Sequence, residues 1–380
     1  HCDTTRTWYS DDRCWRGCVM NLRRIGTSLI APAIGLFISI AVTAVILTVI
    51  GASVSTVFAS MWNYGTSPRA MSLMLNLATI YFLSALAVSI GFKMNLFNIG
   101  VNGQYVLGAL AGAVVASNLT LPKVASVTIT ILTAMFVGAL WAGIAAWLKV
   151  ARGVSEVIST IMLNFIAIGI ISYIIVRTSI GTETSLNIRG TKPIPESGML
   201  RGIAFIDPGT PIYGFFFISI FIGIGYWFLL NRTRFGFDLR ATGKSASAAR
   251  TSGVQSNRMI YVTMLLSGAV AGLVGLPYLL GDTGTYSLQF PTDWGFTGIA
   301  IALLGRNNPL GIALGAILWA FLDISSGQLI LEGVPREIST IMQGLIVIVV
   351  VISYEVVRRY QVKSEQTSVA KALEKQEVSV

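Results

Sequence analysis

The feature that most constrains this chain is a succession of apolar runs, most of them near the 20 residues a helix needs to cross a bilayer, with short basic or glycine-bearing breaks between them. About ten can be delimited: 33–52, 72–92, 103–116, 124–148, 157–176, 212–230, 259–280, 294–304, 310–324 and 337–354. With 54% hydrophobic and only 12% charged residues, and a mean hydropathy of +0.72, the chain has too little charge for a soluble protein. The expected fold class is all-α, a polytopic membrane protein of about ten transmembrane helices. The expected domains are residues 20–357 as the membrane domain, 358–380 as a polar, frayed cytoplasmic tail, and 1–19 as a non-native or disordered N-terminal extension.

The charges orient these runs. Arg23 and Arg24, Lys93, Lys149 with Arg152, segment 232–258, Arg306, and Arg358 with Arg359 and Lys363 fall on one side if there are ten crossings. Basic residues are retained on the cytoplasmic side, so both termini are expected there. A net charge of +10 arranged in this way faces anionic headgroups and excludes a nucleic-acid partner. The longest outer segment, 177–211, also carries Arg189, Lys192 and Arg201, which weakens the rule locally. Its Pro193, Pro195, Pro208 and Pro211 make it a structured surface loop and not a span.

Segment 232–258 is the longest basic interruption, with six basic residues and only Asp238 acidic. Gly236, Ala241, Gly243, Ala246, Ala248, Ala249 and Gly253 space out a short helix whose small-residue face can seat against another surface. Gly243-Lys244-Ser245 imitates the end of a phosphate-binding loop. That motif needs a glycine where Asp238 stands, and no strand precedes it, so ATP is not expected to bind this chain.

The chain also repeats itself. Gly153-Val-Ser-Glu-Val-Ile-Ser-Thr-Ile-Met162 returns as Gly333-Val-Pro-Arg-Glu-Ile-Ser-Thr-Ile-Met342, and Gly138-Ala-Leu-Trp-Ala as Gly315-Ala-Ile-Leu-Trp-Ala. Matching spans two to five with seven to ten, one span between, gives inverted halves, a common way to build a path that opens alternately to each side. Gly108-x-x-x-Gly112, Gly268-x-x-x-Gly272 and Gly311-x-x-x-Gly315 predict close helix packing and nothing more specific.

Polar residues at membrane depth are the remaining candidates. Asn95-Leu-Phe-Asn98-Ile-Gly-Val-Asn102-Gly-Gln104 predicts a broken or re-entrant backbone between spans two and three. Asn76, Tyr81, Asn98, Gln104, Asn164 and Gln343 offer hydrogen bonds without charge, and Phe97, Phe165 and Trp141 offer stacking faces. The inventory suits an uncharged polar solute; helix–helix adhesion is the competing role of each residue. Asp323 costs about 2.5–3.5 kcal/mol if it sits centrally in lipid. Placed at the outer interface it is unremarkable, whereas buried it would serve an ion gradient.

Two sets of residues resemble a known family. Gly236-Phe-x-x-Arg240-Ala-x-Gly243 followed by Ala248-Ala249-x-x-x-Gly253 resembles the cytoplasmic coupling segment of bacterial ABC importer permeases. Phe97-Asn-Ile-Gly-x-x-Gly-Gln104 and Ala302-Leu-Leu-Gly-Arg-x-x-Pro-x-Gly311 resemble the sugar and nucleoside branch of that family, nucleoside permeases most, with Asn102 where an acidic residue is expected. Glu156–Asn164 and Gly281–Trp294 extend the resemblance across most of 20–360. It implies Phe237, Arg240, Gly243, Ala248, Ala249 and Gly253 as ATPase-coupling residues. With the polar inventory, Asn76, Asn98, Gln104, Asn164 and Gln343 become the substrate path.

The same resemblance implies a cytoplasmic ATP-binding subunit that holds ATP and Mg, a second permease subunit that is a paralogue, and an extracellular substrate-binding lipoprotein, all at a bacterial cytoplasmic membrane. The chain itself is expected to carry no cofactor and no catalysis, since the spans hold no nucleophile set, paired carboxylates or ligand cluster. Cys2, Cys14, Cys18 and His1 fit no common zinc spacing. A pentose or other sugar importer and an ion-coupled secondary transporter centred on Asp323 stay open as alternatives.

Overall fold

The computed structural model describes residues 34–183, 188–335 and 337–377; the Cys/His-bearing N-terminal extension lies outside them. The chain divides into two compact units, one built from its two ends and one from Phe58–Leu331. In the first, helix α1 (Ile34–Val49) carries Gly35, at which any Cβ would run into Val350 of helix α14 (Glu337–Glu377). α14 continues through the polar residues beyond Tyr360, where composition predicts a frayed tail. Helix α2 (Val54–Gly65) occupies residues to which the apolar runs assign no element.

The second unit is a helical bundle. Its main helices are α3 (Pro68–Lys93), α4 (Val101–Asn118), α5 (Lys123–Arg152), α6 (Glu156–Arg177) and α7 (Phe215–Arg232). The short helices α8 (Arg234–Lys244) and α9 (Ala246–Thr251) follow, then α10 (Ser256–Gly272), the three-residue α11 (Leu276–Tyr278), α12 (Trp294–Leu304) and α13 (Pro309–Ser325). Six helical stretches are long and apolar enough to cross a membrane among the described residues, with shorter apolar helices at Ile34–Val49, Trp294–Leu304 and Glu337–Ser353. The protein is a polytopic, predominantly helical membrane protein.

The ends of these helices follow from local chemistry. Ser67 caps α3 by accepting the Ala70 N–H at 3.3 Å, and Pro68 fills the first helical position, where no N–H is needed. Asn308 and Pro309 open α13 in the same way. Gly153 closes α5 with φ +68°, and the N–H groups of Gly153 and Val154 fold back onto the Lys149 and Leu148 carbonyls. Its repeat counterpart Gly333 has φ +73°, so the two copies of the repeated motif share a left-handed glycine just ahead of a helix. The expected continuous span 259–280 unwinds after Gly272: Pro277 cannot donate to the ladder, and a wide turn over Leu279–Thr283 ends at left-handed Gly284.

The packing centre is α4, every residue of which from Val101 to Leu110 is buried. Such a helix can show no apolar stripe, because all its faces are inside. It lies against α5 and α10, which touch backbone to backbone. A Cβ on Gly138 would strike the Gly268 carbonyl, one on Gly272 the Ala134 carbonyl, and one on Gly108 would stand 3.0 Å from the Gly272 Cα. The first two small-residue motifs therefore join three helices, while Gly311 and Gly315 serve the hairpin of α12 and α13.

The segment between α6 and α7 forms two small antiparallel hairpins, Thr182–Glu183 with Arg189–Gly190 and Ile203–Asp207 with Thr210–Ile212. It is pinned to the irregular stretch after α11 by backbone bonds from Thr191 to Tyr286, Ile194 to Gly284 and Leu200 to Leu280, at 2.8–2.9 Å. Outside the membrane, the Arg201 guanidinium bonded to Glu196 holds that carboxyl below its usual range.

Since the crossing of α5 and α10 leaves no room for a methyl group, Gly272→Val should cost at least the roughly 1–3 kcal/mol typical of overpacking. Thermal unfolding of purified protein in detergent checks this. A midpoint unchanged from the parent would mean that the helices are not held this closely.

Candidate functional site

Three of the residues expected on the substrate path, Asn98, Gln104 and Asn164, take part in a network that holds a break in the backbone. Between α3 and α4 the chain leaves helical geometry at residues 94–100, with Asn95 at φ +58° and Met94, Leu96 and Asn98 buried. Buried peptide groups freed from a helix need other partners, and here side chains supply them. Asn98 and Gln104 pair amide to amide at 3.0 and 2.9 Å. Asn98 also donates to the Ser267 hydroxyl at 2.8 Å and accepts the Gly100 N–H at 3.1 Å. From α6, Asn164 donates to the Ile99 carbonyl at 3.0 Å and accepts the Gly103 N–H at 2.8 Å.

Asn102 extends the network to α12. Its side-chain oxygen accepts the Gly295 N–H at 2.8 Å, at the start of that helix, while Ser84 of α3 donates to the Trp294 carbonyl at 2.8 Å. The role at Asn102 is acceptance from a helix N-terminus, which an amide oxygen fills without charge. Asn76 is spent elsewhere, clamping the entry to α7 through the Pro211 carbonyl at 2.9 Å and the Tyr213 N–H at 2.7 Å. Burial, then the nearby Asp282 carboxylate, pushes the Tyr213 phenol up. Gln343 belongs to the unit formed by the chain ends.

Thus the structure joins Asn98, Gln104 and Asn164, and their hydrogen bonds run within the chain. Of the expected stacking faces, Phe97 and Phe165 are exposed, whereas the Trp141 indole N–H is buried without a partner. Asp323 is half-buried and accepts a hydrogen bond from Tyr81. Sequence reasoning missed Ser84, Ser267 and the working role of Asn102. It also missed an aromatic cluster in which Tyr105 stacks on Trp294 at 5.9 Å and Tyr286 on Phe290 at 4.5 Å. The aromatic spacing of 286–294 was the available signal.

Segment 232–258 folds as α8 and α9. Thr233 and Ser245 cap them through the Gly236 and Ala248 N–H groups at 3.1 and 3.3 Å, and Gly253, φ +86°, ends the second. Gly236, Leu239 and Thr242 form the buried stripe of α8. The small residues of this segment point in different directions. A Cβ on Gly243 would stand 2.7 Å from the Lys93 carbonyl and 2.9 Å from Met94, so this glycine seats α8 on the end of α3. Arg240 turns back to the Leu230 carbonyl, and Ala249 is buried.

The outward residues are Phe237, 66% exposed, with Ala248 and Gly253. Phe237 and Gly253 line a groove of about 790 Å³ together with Phe235, Met259 and the charged Arg234, Asp238 and Arg258. An exposed aromatic ring in a groove bordered by charge is the anatomy of a protein-docking site. Among the described residues no group of His, Cys, Asp and Glu could hold a metal ion.

Comparison with known proteins gives a family match and a set of relatives. Residues 70–351 match the family described as branched-chain amino acid transport system / permease component. The guanosine ABC transporter permease protein NupP of Bacillus subtilis is 33% identical over 340 residues, 86% of this chain and 94% of that protein. The glucose ABC transporter permease protein TsgB13 of Haloferax volcanii is 33% identical over 304 residues, 78% and 80% of the two chains. The nucleoside ABC transporter permease protein NupB of Lactococcus lactis is 29% identical over 280 residues, 72% and 76% of the two.

If the amide pair is structural, Asn98→Ala strands the buried Gln104 amide, at a cost of about 1–3 kcal/mol. Thermal unfolding should register the loss, while the fraction that folds transports with an unchanged half-saturating solute concentration. A raised half-saturation with unchanged stability would return Asn98 to the substrate path.

Proposed function

The chain belongs to the branched-chain amino acid transport system permease family and is a membrane-spanning permease subunit of an ABC importer; on that premise we propose that its cargo is a nucleoside. The observation that carries this is the extent of the match to the guanosine permease, which leaves little of either chain uncovered. The glucose permease relative, at the same identity over less of both chains, supports a sugar as the second reading.

In the proposed assembly the bundle lies in a bacterial cytoplasmic membrane with both termini inside. A paralogous permease subunit completes the path, and an extracellular lipoprotein delivers the solute. The ATP-binding subunit, which holds ATP and Mg, docks on segment 232–258. Phe237 anchors that contact and Ala248 and Gly253 border it, while Arg240, Gly243 and Ala249 act from behind by fixing α8 and α9 to the bundle. Residues 20–357 form the working domain, and the helical continuation past residue 357 is its cytoplasmic tail.

The test separates docking from folding. Phe237→Ala should leave membrane insertion intact and lower the affinity for the ATP-binding subunit about thirtyfold, as loss of a 2 kcal/mol interface anchor does. Uptake of radiolabelled guanosine by the full set of subunits should fall with it and should stop on ATP depletion. Competition by glucose and not by nucleosides would install the sugar reading. Uptake that survives ATP depletion and follows a proton gradient would overturn the importer mechanism and point to Asp323.

A further inference from the structure

The break at residues 94–100 is held by α3 only as far as Leu96. The N–H groups of Met94, Asn95 and Leu96 fold back onto the carbonyls of Gly91 and Phe92 at 2.9–3.0 Å, so the first part of the break still belongs to the end of that helix. With Phe97 the tie changes. Its backbone N–H is set free of α3 and needs another partner, which it finds in the carboxylate of Glu156, in the first turn of α6.

A carboxylate in the first turn ordinarily stays in water and answers the free N–H groups of its own helix end. Glu156 is buried. Beside its own N–H, its carboxylate reaches Phe97 and, at 2.5 Å, the ammonium of Lys149 in the last turn of α5. Lys149 is partly exposed, which places the pair at the rim of the bundle. Arg152, in the same turn, is exposed and forms no ion pair among the described residues, so the bond from α5 comes from Lys149.

The rest of this face of α6 follows the break. Glu156, Thr160 and Asn164 lie four residues apart on one stripe. A Cβ on Gly100 would stand 3.0 Å from the Thr160 Cβ, and Asn164 bonds the Ile99 carbonyl and the Gly103 N–H. Glu156 adds to this stripe the link to α5, which itself lies backbone to backbone against α10. Meanwhile α8 is seated through Gly243 on the Lys93 carbonyl and Met94. Asn95 and Leu96 alone separate the seat of α8 from the residue that Glu156 holds.

We propose that Glu156 is the positioning residue through which displacement of α8 is passed to the α5–α6 hairpin: it accepts the Phe97 N–H while Lys149 holds the carboxylate against α5. This role rests on the docking of the ATP-binding subunit at α8 and not on which solute is carried.

The competing role is a staple across the α5–α6 turn, which needs the ion pair and has no use for Phe97. Exchanging the partners separates the two. Glu156→Lys combined with Lys149→Glu restores a pair across the turn, yet lysine has no acceptor for an N–H. The readout is solute taken up per ATP hydrolysed in proteoliposomes holding the full set of subunits, scored for whichever of guanosine and glucose the parent carries. The exchanged pair should keep the parent's thermal midpoint and its affinity for the ATP-binding subunit, and lose about tenfold in uptake per ATP, as removal of one contact from a coupling network does. A parental ratio would reduce Glu156 to a staple and overturn the proposal. Should the exchange not fold, Glu156→Gln and Glu156→Leu decide the matter: the amide still accepts the Phe97 N–H and should hold the ratio close to the parent's, whereas leucine should lower it. Equal ratios for these two would overturn the proposal as well. Docking at α8 is judged apart from this by Phe237→Ala, where a parental affinity for the ATP-binding subunit would overturn the docking itself.

Discussion

A buried peptide group that leaves helical geometry must find its hydrogen bonds within the protein, and the organisation of this bundle follows from how that is met at residues 94–100. The break lies between the two most enclosed helices, so its satisfaction cannot be left to solvent. Asn98 and Gln104 close on each other, Ser267 reaches in from α10, Asn164 from α6, and Asn102 carries the contact on to α12. Four helices are thereby registered against one irregular loop. Buried amides of this kind are strong when complete and costly when one partner is missing, which suits them to fixing register.

Close approach of helices is the second condition, and it is what lets the amides reach. A Cβ on Gly103 would stand 3.0 Å from the Asn164 amide oxygen, so the bare glycine is what lets Asn164 of α6 reach the backbone of α4. The glycines and the amides are one device. Glycine removes the side chain that would separate the helices, and the short hydroxyl or amide fills the remaining gap with directional bonds.

Much of this was legible in the sequence because membrane insertion imposes coarse, local rules. Run length and charge bias marked the helices, and three asparagines with two glycines marked the broken backbone. The left-handed glycine ahead of each repeat copy could be expected from the motif itself. Direction was not legible. Gly243 and Phe237 lie on one short helix, and the sequence does not say which of them turns toward the bundle, since that depends on the ends of α3 and α7. Likewise Asn98, Gln104 and Asn164 were visible as polar residues at depth, yet their partners are backbone groups distant in sequence, and composition carries no trace of those. Helix α2 escaped because it is too short to register as a span.

The placement of Gly243 bears on how motion at the membrane surface could reach the interior. α8 rests on the carbonyl of Lys93 and on Met94, the residues immediately before the buried break. Met94 is itself held by α10, where the Thr263 hydroxyl donates to its sulfur at 3.1 Å. A push on α8 is thus delivered where the chain stops being helical, and not to the middle of a rigid helix. Irregular backbone gripped by side chains has alternative arrangements open to it that a packed helix lacks, because amides can exchange partners while helices move as bodies. In the proposed importer, displacement of α8 by the ATP-binding subunit would enter through Met94. The Asn98–Gln104 pair is the first internal contact it would have to break or carry along.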